Sequence, residues 1–252
     1  MEKESKEMRR KILETSHKAK SGHIASAFSV LEIVNVLFKN FLKEEDRFIL
    51  SKGHASLALY AALWNNGIIT DDDFDSFCKY DSILGGHPDR NKVPKVAAST
   101  GSLGHGLPIA VGIAFSKKIT KQSGRVYCIV GDGECNEGSI WESALLADNL
   151  KLNNLVCIVD NNKSQVRSIP TTDIANKFRS FGFNVIQVAD GHNVSLINDA
   201  ISKSSESEFA TCIVCDTVKG YGVEAISNDM FAWHHRSPTN VELEEFLKEI
   251  EK

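Results

Sequence analysis

The clearest structural signal in the sequence comes from two segments, Val126–Gly133 (VYCIVGDG) and Leu155–Asn162 (LVCIVDNN). Each begins with a short apolar run rich in β-branched residues, which is typical of a buried strand. Residues Glu137 to Leu150 between them read as a helix. A strand, a helix and a strand within about 30 residues have the size of one βαβ unit. This connection makes the two strands parallel, so their C-terminal ends point to the same edge of a sheet.

Polar side chains stand where both strands end. Asp132 follows the first strand and Asn162 follows the second. Ligands of open α/β sheets bind beyond the carboxyl ends of the strands, so we expect these two side chains to converge at a binding site. A carboxylate, an amide oxygen and a nearby backbone carbonyl are ligands that a hard cation such as Mg²⁺ accepts, with substrate phosphates completing the shell.

The remaining pattern alternates strands and helices. Further strands are expected at Arg47–Leu50, Asn184–Val188 and Thr211–Asp216. Helices are expected at 4–20, from a cap at Ser29 to Phe38, and at 55–64, 103–118, 171–181, 194–203 and 241–252, with another starting at Thr70. Residues 84–102 lack periodicity, and a loop of that length is usually functional or disordered. We predict an α/β fold with a doubly wound, mainly parallel sheet, and a single domain over residues 1–252.

Composition excludes several classes of protein. The 252 residues carry a net charge of −4 with scattered Lys and Arg, which argues against a nucleic-acid partner. We see no apolar stretch near transmembrane length and no apolar core of a signal peptide within the charged residues 1–11, so no membrane association is expected. Cys128, Cys157 and Cys212 fall inside predicted strands as small apolar residues. The cysteine usage fits a reducing, cytoplasmic location.

Several histidines lie beside glycines at the predicted ends of helices and strands. They occur in Ser21-Gly22-His23, Gly53-His54, Gly86-His87, Gly104-His105-Gly106 and Trp233-His234-His235. Glycine lets the backbone approach a ligand closely, and imidazole can donate to phosphate oxygens or move protons near neutral pH. One such histidine is more simply explained as structural, but the repeated pattern indicates a binding site.

The order of these segments resembles the N-terminal half of transketolases. The matching segments are Ala19–His23 (AKSGH), Asp46–Ala55 (DRFILSKGHA), Gly85–Pro88 (GGHP), Ser99–Gly106 (STGSLGHG), Gly131–Gly138 (GDGECNEG), the Asn161-Asn162 pair and Trp233-His234. The spacing from Gly-Asp-Gly to Asn-Asn is that of thiamine-diphosphate enzymes. The resemblance extends from about Arg9 to Pro238 and is specific, because independent motifs occur in the family order.

The resemblance implies roles for individual residues. Asp132, Asn162 and the backbone carbonyl of Ser164 would hold Mg²⁺ or Ca²⁺. The thiamine diphosphate would lie along His54, Gly101, Leu103, Gly131, Asp132, Gly133, Asn162 and Val166. Among the residues implied in catalysis, His23, His87 and His234 would line the substrate funnel, whereas Glu137 would join a proton network where it faces a partner subunit. The substrates would be sugar phosphates, with a two-carbon ketol unit transferred from a ketose to an aldose.

Some of these positions have ordinary structural explanations. Leu103 and Val166 could simply pack, and Glu137 stands at a helix start, where an acid is favoured by the helix dipole. His105 replaces a glutamine common in transketolases, and His235 replaces a frequent glycine. The roles of His105 and His235 therefore stay open.

The chain is short for a complete transketolase. Transketolases carry a second, pyrimidine-binding domain, and no segment before Lys252 corresponds to it. We therefore expect one subunit of a split transketolase, paired with a C-terminal transketolase subunit in an α₂β₂ assembly. Two alternatives remain open: a subunit of another thiamine-diphosphate enzyme, such as a 2-oxoacid dehydrogenase or a deoxyxylulose-phosphate synthase relative, and a non-catalytic regulatory subunit with the same fold.

Overall fold

The computed structural model describes residues 2–167 and 169–251. The elements follow in the order α1 (Lys3–Ala19), α2 (Ile24–Val36), β1 (Arg47–Leu50), α3 (Ser56–Asn65), α4 (Asp71–Asp75), α5 (Gly106–Ile119), β2 (Val126–Gly131), α6 (Gly138–Asn149), β3 (Leu155–Asn161), α7 (Ile174–Ser180), β4 (Asn184–Val188), α8 (Val194–Ser204), β5 (Thr211–Asp216), α9 (Glu224–Asn228) and α10 (Asn240–Glu251). Short 3₁₀ turns at Gly53–Ala55 and Gly133–Asn136 follow β1 and β2.

The strands form one sheet in the order β1-β2-β3-β5-β4, and every pairing is parallel. The register pairs Gly131 of β2 with Asp160 of β3, and Asn161 of β3 with Asp216 of β5. The carboxyl ends of β2, β3 and β5 therefore lie side by side. This arrangement confirms the predicted parallel α/β fold.

Two apolar layers cover the two faces of the sheet. Along β2, Val126, Cys128 and Val130 pack with α5, α6 and α7, whereas Tyr127 and Ile129 pack with α1, α2 and α3 on the other face. Alternate residues of a strand point to opposite faces, and both faces are apolar here because helices cover both. The fold is thus doubly wound, as predicted.

The second helix differs from the prediction in its start and its length. It begins at Ile24, directly after His23, and continues as one π-helical turn over Leu37–Phe41. Ser29 is therefore a buried residue inside the helix and not its cap. Residues 24–41 are long and apolar enough to cross a membrane, contrary to the expectation, but 78 % of this stretch is buried inside the protein. The segment is therefore a core helix of the folded protein.

Two other helices begin later than predicted, and one loop agrees with the prediction. The helix expected at 103–118 begins at Gly106, because the chain turns at Gly104, whose φ is +79°. The helix expected from Thr171 begins three residues later, at Ile174, because the side chain of Asp173 caps it by accepting from the backbone N–H of Asn176. Residues 84–102 contain no helix or strand, as expected, apart from one bridge between Val96 and Phe48.

Candidate active site

The three predicted metal-ligating residues lie together at the carboxyl edge of β2 and β3. The hydroxyl group of Ser164 donates to Oδ1 of Asp132 at 2.8 Å, and its backbone N–H donates to Oδ1 of Asn162 at 3.1 Å. Asp132 and Asn162 are only 5 % and 4 % exposed. The oxygen atoms of two strand ends therefore face one another across Ser164, as the βαβ argument predicts.

The donor set at this edge suits a hard cation. Within residues 2–167 and 169–251, no group of three or more His, Cys, Asp and Glu side chains could hold a metal ion. A cation here would instead use one carboxylate, one amide oxygen and a backbone carbonyl. Such oxygen donors suit Mg²⁺ and Ca²⁺, which commonly complete their shells with waters and phosphates.

Five histidines form a second group, which we call the imidazole cluster: His23, His54, His87, His234 and His235. The ring of His23 lies at the centre. Its centroid is 5.3 Å from that of His54, 6.5 Å from that of His87 and 5.4 Å from that of His234. His235 stacks on His23 at 4.5 Å. The structure thus brings together all four predicted histidines and adds His235, whose role was open.

The rings of the cluster are positioned by a helix start, by a turn after a strand and by close contact with a loop. His23 immediately precedes α2, and its backbone pairs with that of Arg236, which brings the segment of His234 alongside. His54 lies in the turn after β1. A Cβ atom on Gly101 would lie 3.4 Å from the ring of His87, so the loop 99–106 lies directly against that ring.

Burial keeps the central imidazoles neutral. Burial, followed by the neighbouring His235, lowers the pKa of His23 to about 4. Burial and the charge of Lys52 lower the pKa of His54 to about 2. Burial and Lys219 also lower the pKa of His234. Near pH 7 each of these rings offers one N–H donor and one lone pair, the form needed for hydrogen bonding to hydroxyl groups and for proton movement.

Lys219 links the cluster to the metal edge, although no local sequence pattern predicts its role. Its side chain is 3 % exposed, and its Nζ lies 3.1 Å from Nδ1 of His234. Burial, then Lys52, lowers the pKa of Lys219 to about 8, whereas the carboxylates of Asp132 and Asp160 raise it. An ammonium group has only donors, so His234 accepts at Nδ1 and presents its Nε2–H to the site.

Two buried carboxylates, which local sequence patterns do not predict either, lie below the site. Asp160, with 0 % exposure, forms an ion pair with Lys52. Glu134 accepts from the hydroxyl of Ser51 and from the backbone N–H of Gly104 and Gly131, and burial raises its pKa. These contacts join the ends of β1 and β2 to the loop 99–106. Only the apolar runs before Asp160 and Glu134 hinted that both acids would be buried.

The other predicted residues occupy different positions around the site. Glu137 is exposed at the start of α6, where its Cβ would lie 2.7 Å from a Cβ on Gly104. Leu103 is partly buried and Val166 is 60 % exposed, so the apolar surface of Val166 is available to a ligand or partner. Gly133 lies against the side chain of Gln165, where a Cβ would collide. His105 is exposed before α5, and no ring contact joins it to the cluster within the described residues.

Comparison with protein families matches residues 2–242 to the thiamine diphosphate binding domain of transketolase. The chain belongs to the transketolase family. It is 35 % identical to one of the subunits of the apulose-4-phosphate transketolase of Actinobacillus succinogenes, over 99 % of this chain and 95 % of that protein. It is 32 % identical to the 6-deoxy-6-sulfo-D-fructose transketolase subunit SqwG of a Clostridium species, over 97 % and 94 %. The crystal structure of Campylobacter jejuni transketolase superposes with a TM-score of 0.88 at 27 % identity, covering 98 % of this chain and 41 % of the other.

These relatives confirm the predicted family and activity. The first two have nearly the same length as this chain and are named as transketolase subunits, whereas the Campylobacter enzyme is more than twice as long. The chain is accordingly a subunit of a thiamine-diphosphate-dependent, two-chain transketolase. This finding disfavours both alternatives, another thiamine-diphosphate enzyme and a non-catalytic regulatory protein.

Proposed function

We propose that the carboxyl edge of β2 and β3 holds Mg²⁺, or Ca²⁺, through Asp132, Asn162 and the backbone carbonyl of Ser164, and that the cation anchors thiamine diphosphate. The observation that carries this proposal is the convergence of these three residues. A diphosphate beside the carboxylate of Asp132 would be repelled without a cation between them. The metal therefore explains how one acidic residue can form part of an anion site.

One buried group fits the diphosphate. Lys219 is a buried ammonium group with no carboxylate within 4 Å in the described part of the chain, so an anionic ligand would supply its counter-charge. Buried polar groups normally find partners, and phosphate oxygens would accept from its ammonium. His54 and the backbone of Gly133 would add further contacts.

When bound, thiamine diphosphate supplies the nucleophilic carbon that carries the two-carbon unit. The residues of this chain orient the sugar and move its protons. Neutral His23, His87 and His234 would hydrogen-bond the ketose hydroxyl groups, and Lys219 fixes the tautomer of His234. Gly101, Leu103, Gly131 and Val166 would line the cofactor, and Glu137 would face the partner chain. His235, stacked on His23, would narrow the entrance.

The assembly and substrate belong to the same proposal. We infer that residues 1–252 form a single cofactor-binding domain that works with a C-terminal, pyrimidine-binding subunit in an α₂β₂ complex in the cytoplasm, with no nucleic-acid or membrane partner. The two relatives of similar length are named for a phosphorylated and a sulfonated sugar. A ketose with an anionic group far from the reacting carbonyl is therefore the substrate class we expect.

Reconstitution tests this function. The purified chain, a second chain carrying the pyrimidine-binding domain, and their mixture are assayed with thiamine diphosphate and Mg²⁺ against ketose phosphates, 6-deoxy-6-sulfofructose and pyruvate. We expect activity only in the mixture, with ketoses and not with pyruvate, and its loss in His87→Ala. Full activity of the single chain would overturn the split assembly, and turnover of pyruvate alone would overturn the ketose assignment.

A further inference from the structure

A buried hydrogen-bond network lies directly beneath the metal edge, and its centre is the carboxylate of Asp160. Oδ2 accepts from the hydroxyl of Ser29 at 2.6 Å, from the ammonium of Lys52 and from Nδ2 of Asn162 at 3.0 Å. Oδ1 accepts from the hydroxyl of Thr217. Each donor comes from a different segment: α2, the turn after β1, the chain after β3 and the chain after β5.

This network decides which way the side-chain amide of Asn162 faces. An ionised carboxylate has only acceptors, so the amide nitrogen must point to Asp160. Ser29 gives its own proton to Asp160, which leaves its lone pairs to accept from the same Nδ2 at 3.1 Å. The amide oxygen is thereby turned the opposite way, where it accepts from the N–H of Ser164. A flipped amide would bring two oxygens together at Asp160.

We propose that Asp160 is a positioning residue, which holds the amide of Asn162 with its oxygen toward the cation that Asp132 and Ser164 also bind. The hydroxyl oxygen of Ser29 is a second acceptor for the amide nitrogen of Asn162. The inference rests on the proposed metal site and adds to it the reason why residue 162 is an amide and not a carboxylate. Groups that orient metal ligands in this way typically change metal affinity by about 10- to 100-fold when they are mutated.

The network is rigid enough for this task. Lys52 and Asp160 are 1 % and 0 % exposed and form an ion pair, and the carboxylate of Asp160 also accepts from Ser29, Asn162 and Thr217, so it acts only as an acceptor. Fully satisfied buried polar groups hold one arrangement because any other arrangement leaves a group unpaired. The orientation of Asn162 therefore does not depend on the metal being present.

The decisive variant is Asn162→Asp. For a simple cation site, the added negative charge would preserve or strengthen binding, because hard cations favour carboxylates. Our proposal predicts the opposite, because the new carboxylate would face Asp160 at hydrogen-bond distance with no proton between them. Mn²⁺ affinity, measured by electron paramagnetic resonance on the reconstituted complex with thiamine diphosphate, should fall about 10-fold or more.

Ser29→Ala decides the question if Asn162→Asp does not fold, since alanine is well tolerated inside a helix. We expect several-fold weaker Mn²⁺ binding for Ser29→Ala, and wild-type binding for Ser204→Ala, a buried helical serine that donates only to Ile201 of its own helix. Equal or tighter Mn²⁺ binding by a folded Asn162→Asp variant overturns the proposal. If that variant does not fold, unchanged Mn²⁺ binding by Ser29→Ala overturns it. Absence of Mn²⁺ binding by the wild-type complex would instead overturn the metal site itself.

Discussion

Two buried carboxylates, Asp160 and Glu32, show how similar interactions serve different ends in this molecule. Asp160 is bonded to Lys52 and Thr217, which precede His54 and Lys219 by two residues each, and to Asn162 itself. Every segment that it ties together carries a proposed ligand-binding group. Its hydrogen bonds thus set the geometry of the site.

Glu32 organises the scaffold behind the site. It pairs with Arg9 of α1 at 2.5 Å and with Nδ1 of His192 at 3.1 Å. The Nε2 of His192 accepts from the backbone N–H of Val218, and its ring stacks on Tyr221 at 3.7 Å. Mutations at Glu32 or its partners should therefore reduce stability first, whereas mutations at the metal edge should reduce ligand binding first.

The largest effect is expected from Arg9→Met, which leaves Glu32 buried without its guanidinium partner. Removing one member of a buried ion pair costs about 3–5 kcal/mol. For a chain of this size we expect the melting temperature to fall by about 10 °C in differential scanning calorimetry. Arg10→Met is the matched control, because Arg10 forms an exposed pair with Glu251, which should contribute little. Equal melting temperatures for the two variants would show that the buried pair of Arg9 and Glu32 stabilises the protein no more than an exposed pair does.

Asp132→Ala should separate binding from stability at the metal edge. Thiamine diphosphate and Mg²⁺ affinity in calorimetric titrations should fall by at least about 100-fold, because the cation that anchors the diphosphate loses a direct ligand, and loss of an outer-shell partner alone costs up to about that much. Melting of the unliganded chain should change little. Asp216→Ala is the control, since Asp216 lies at the same edge but is exposed and bonded to Asn161. A similar loss of affinity in both variants would contradict the assignment of Asp132.

Lys219→Met tests the link between the metal edge and the imidazole cluster. Hydrogen bonds to charged groups contribute about 1.5–3 kcal/mol, so diphosphate affinity should fall at least about 10-fold. The pKa of His234 should rise in an NMR titration, because the buried cation that helps to lower it is gone. The exposed Lys163→Met should change neither quantity. An unchanged pKa of His234 in Lys219→Met would contradict the contact between Lys219 and His234.

The smallest effect is expected in the pH dependence of stability. His23 has a folded pKa of about 4 against 6.5 when unfolded, so below pH 6.5 the unfolded state binds more protons. The contribution of neutral His23 to the free energy of unfolding is therefore fully present above pH 6.5 and is lost as the pH falls toward 4. Melting curves of His23→Gln should show a shallower decline over this range, whereas His105→Gln should keep the wild-type slope. An unchanged slope in His23→Gln would mean that its ring is not buried against the cluster.

The local and family-specific parts of this structure can be predicted from the sequence. The bounds of β1, β4 and β5 and the convergence of Asp132 with Asn162 follow from apolar runs and parallel strands. The network of Asp160 does not, because Ser29 and Thr217 lie 131 and 57 residues away and nothing in their local pattern marks them. The sequence predicts Ser29 as a helix cap because serine is a common cap, whereas in the folded chain it donates to the buried carboxylate of Asp160.

Lys219 escaped prediction for a similar reason. A single lysine after a strand is normally a solvated surface group, and only the folded chain reveals that it is buried against His234. The stacking of His235 on His23 likewise depends on the pairing of two segments more than 200 residues apart. Long-range convergence of polar groups is thus the part of the site that single-sequence patterns could not supply.

A crystal structure of the reconstituted complex would locate the cation relative to Asp132 and Asn162. Crystals of the reconstituted complex containing thiamine diphosphate and Mn²⁺ in place of Mg²⁺ are measured for anomalous scattering of manganese. We expect one strong peak about 2.0–2.3 Å from an oxygen of Asp132 and from Oδ1 of Asn162, with the diphosphate bound to the same ion. A manganese peak elsewhere, or cofactor density remote from these strand ends, would contradict it.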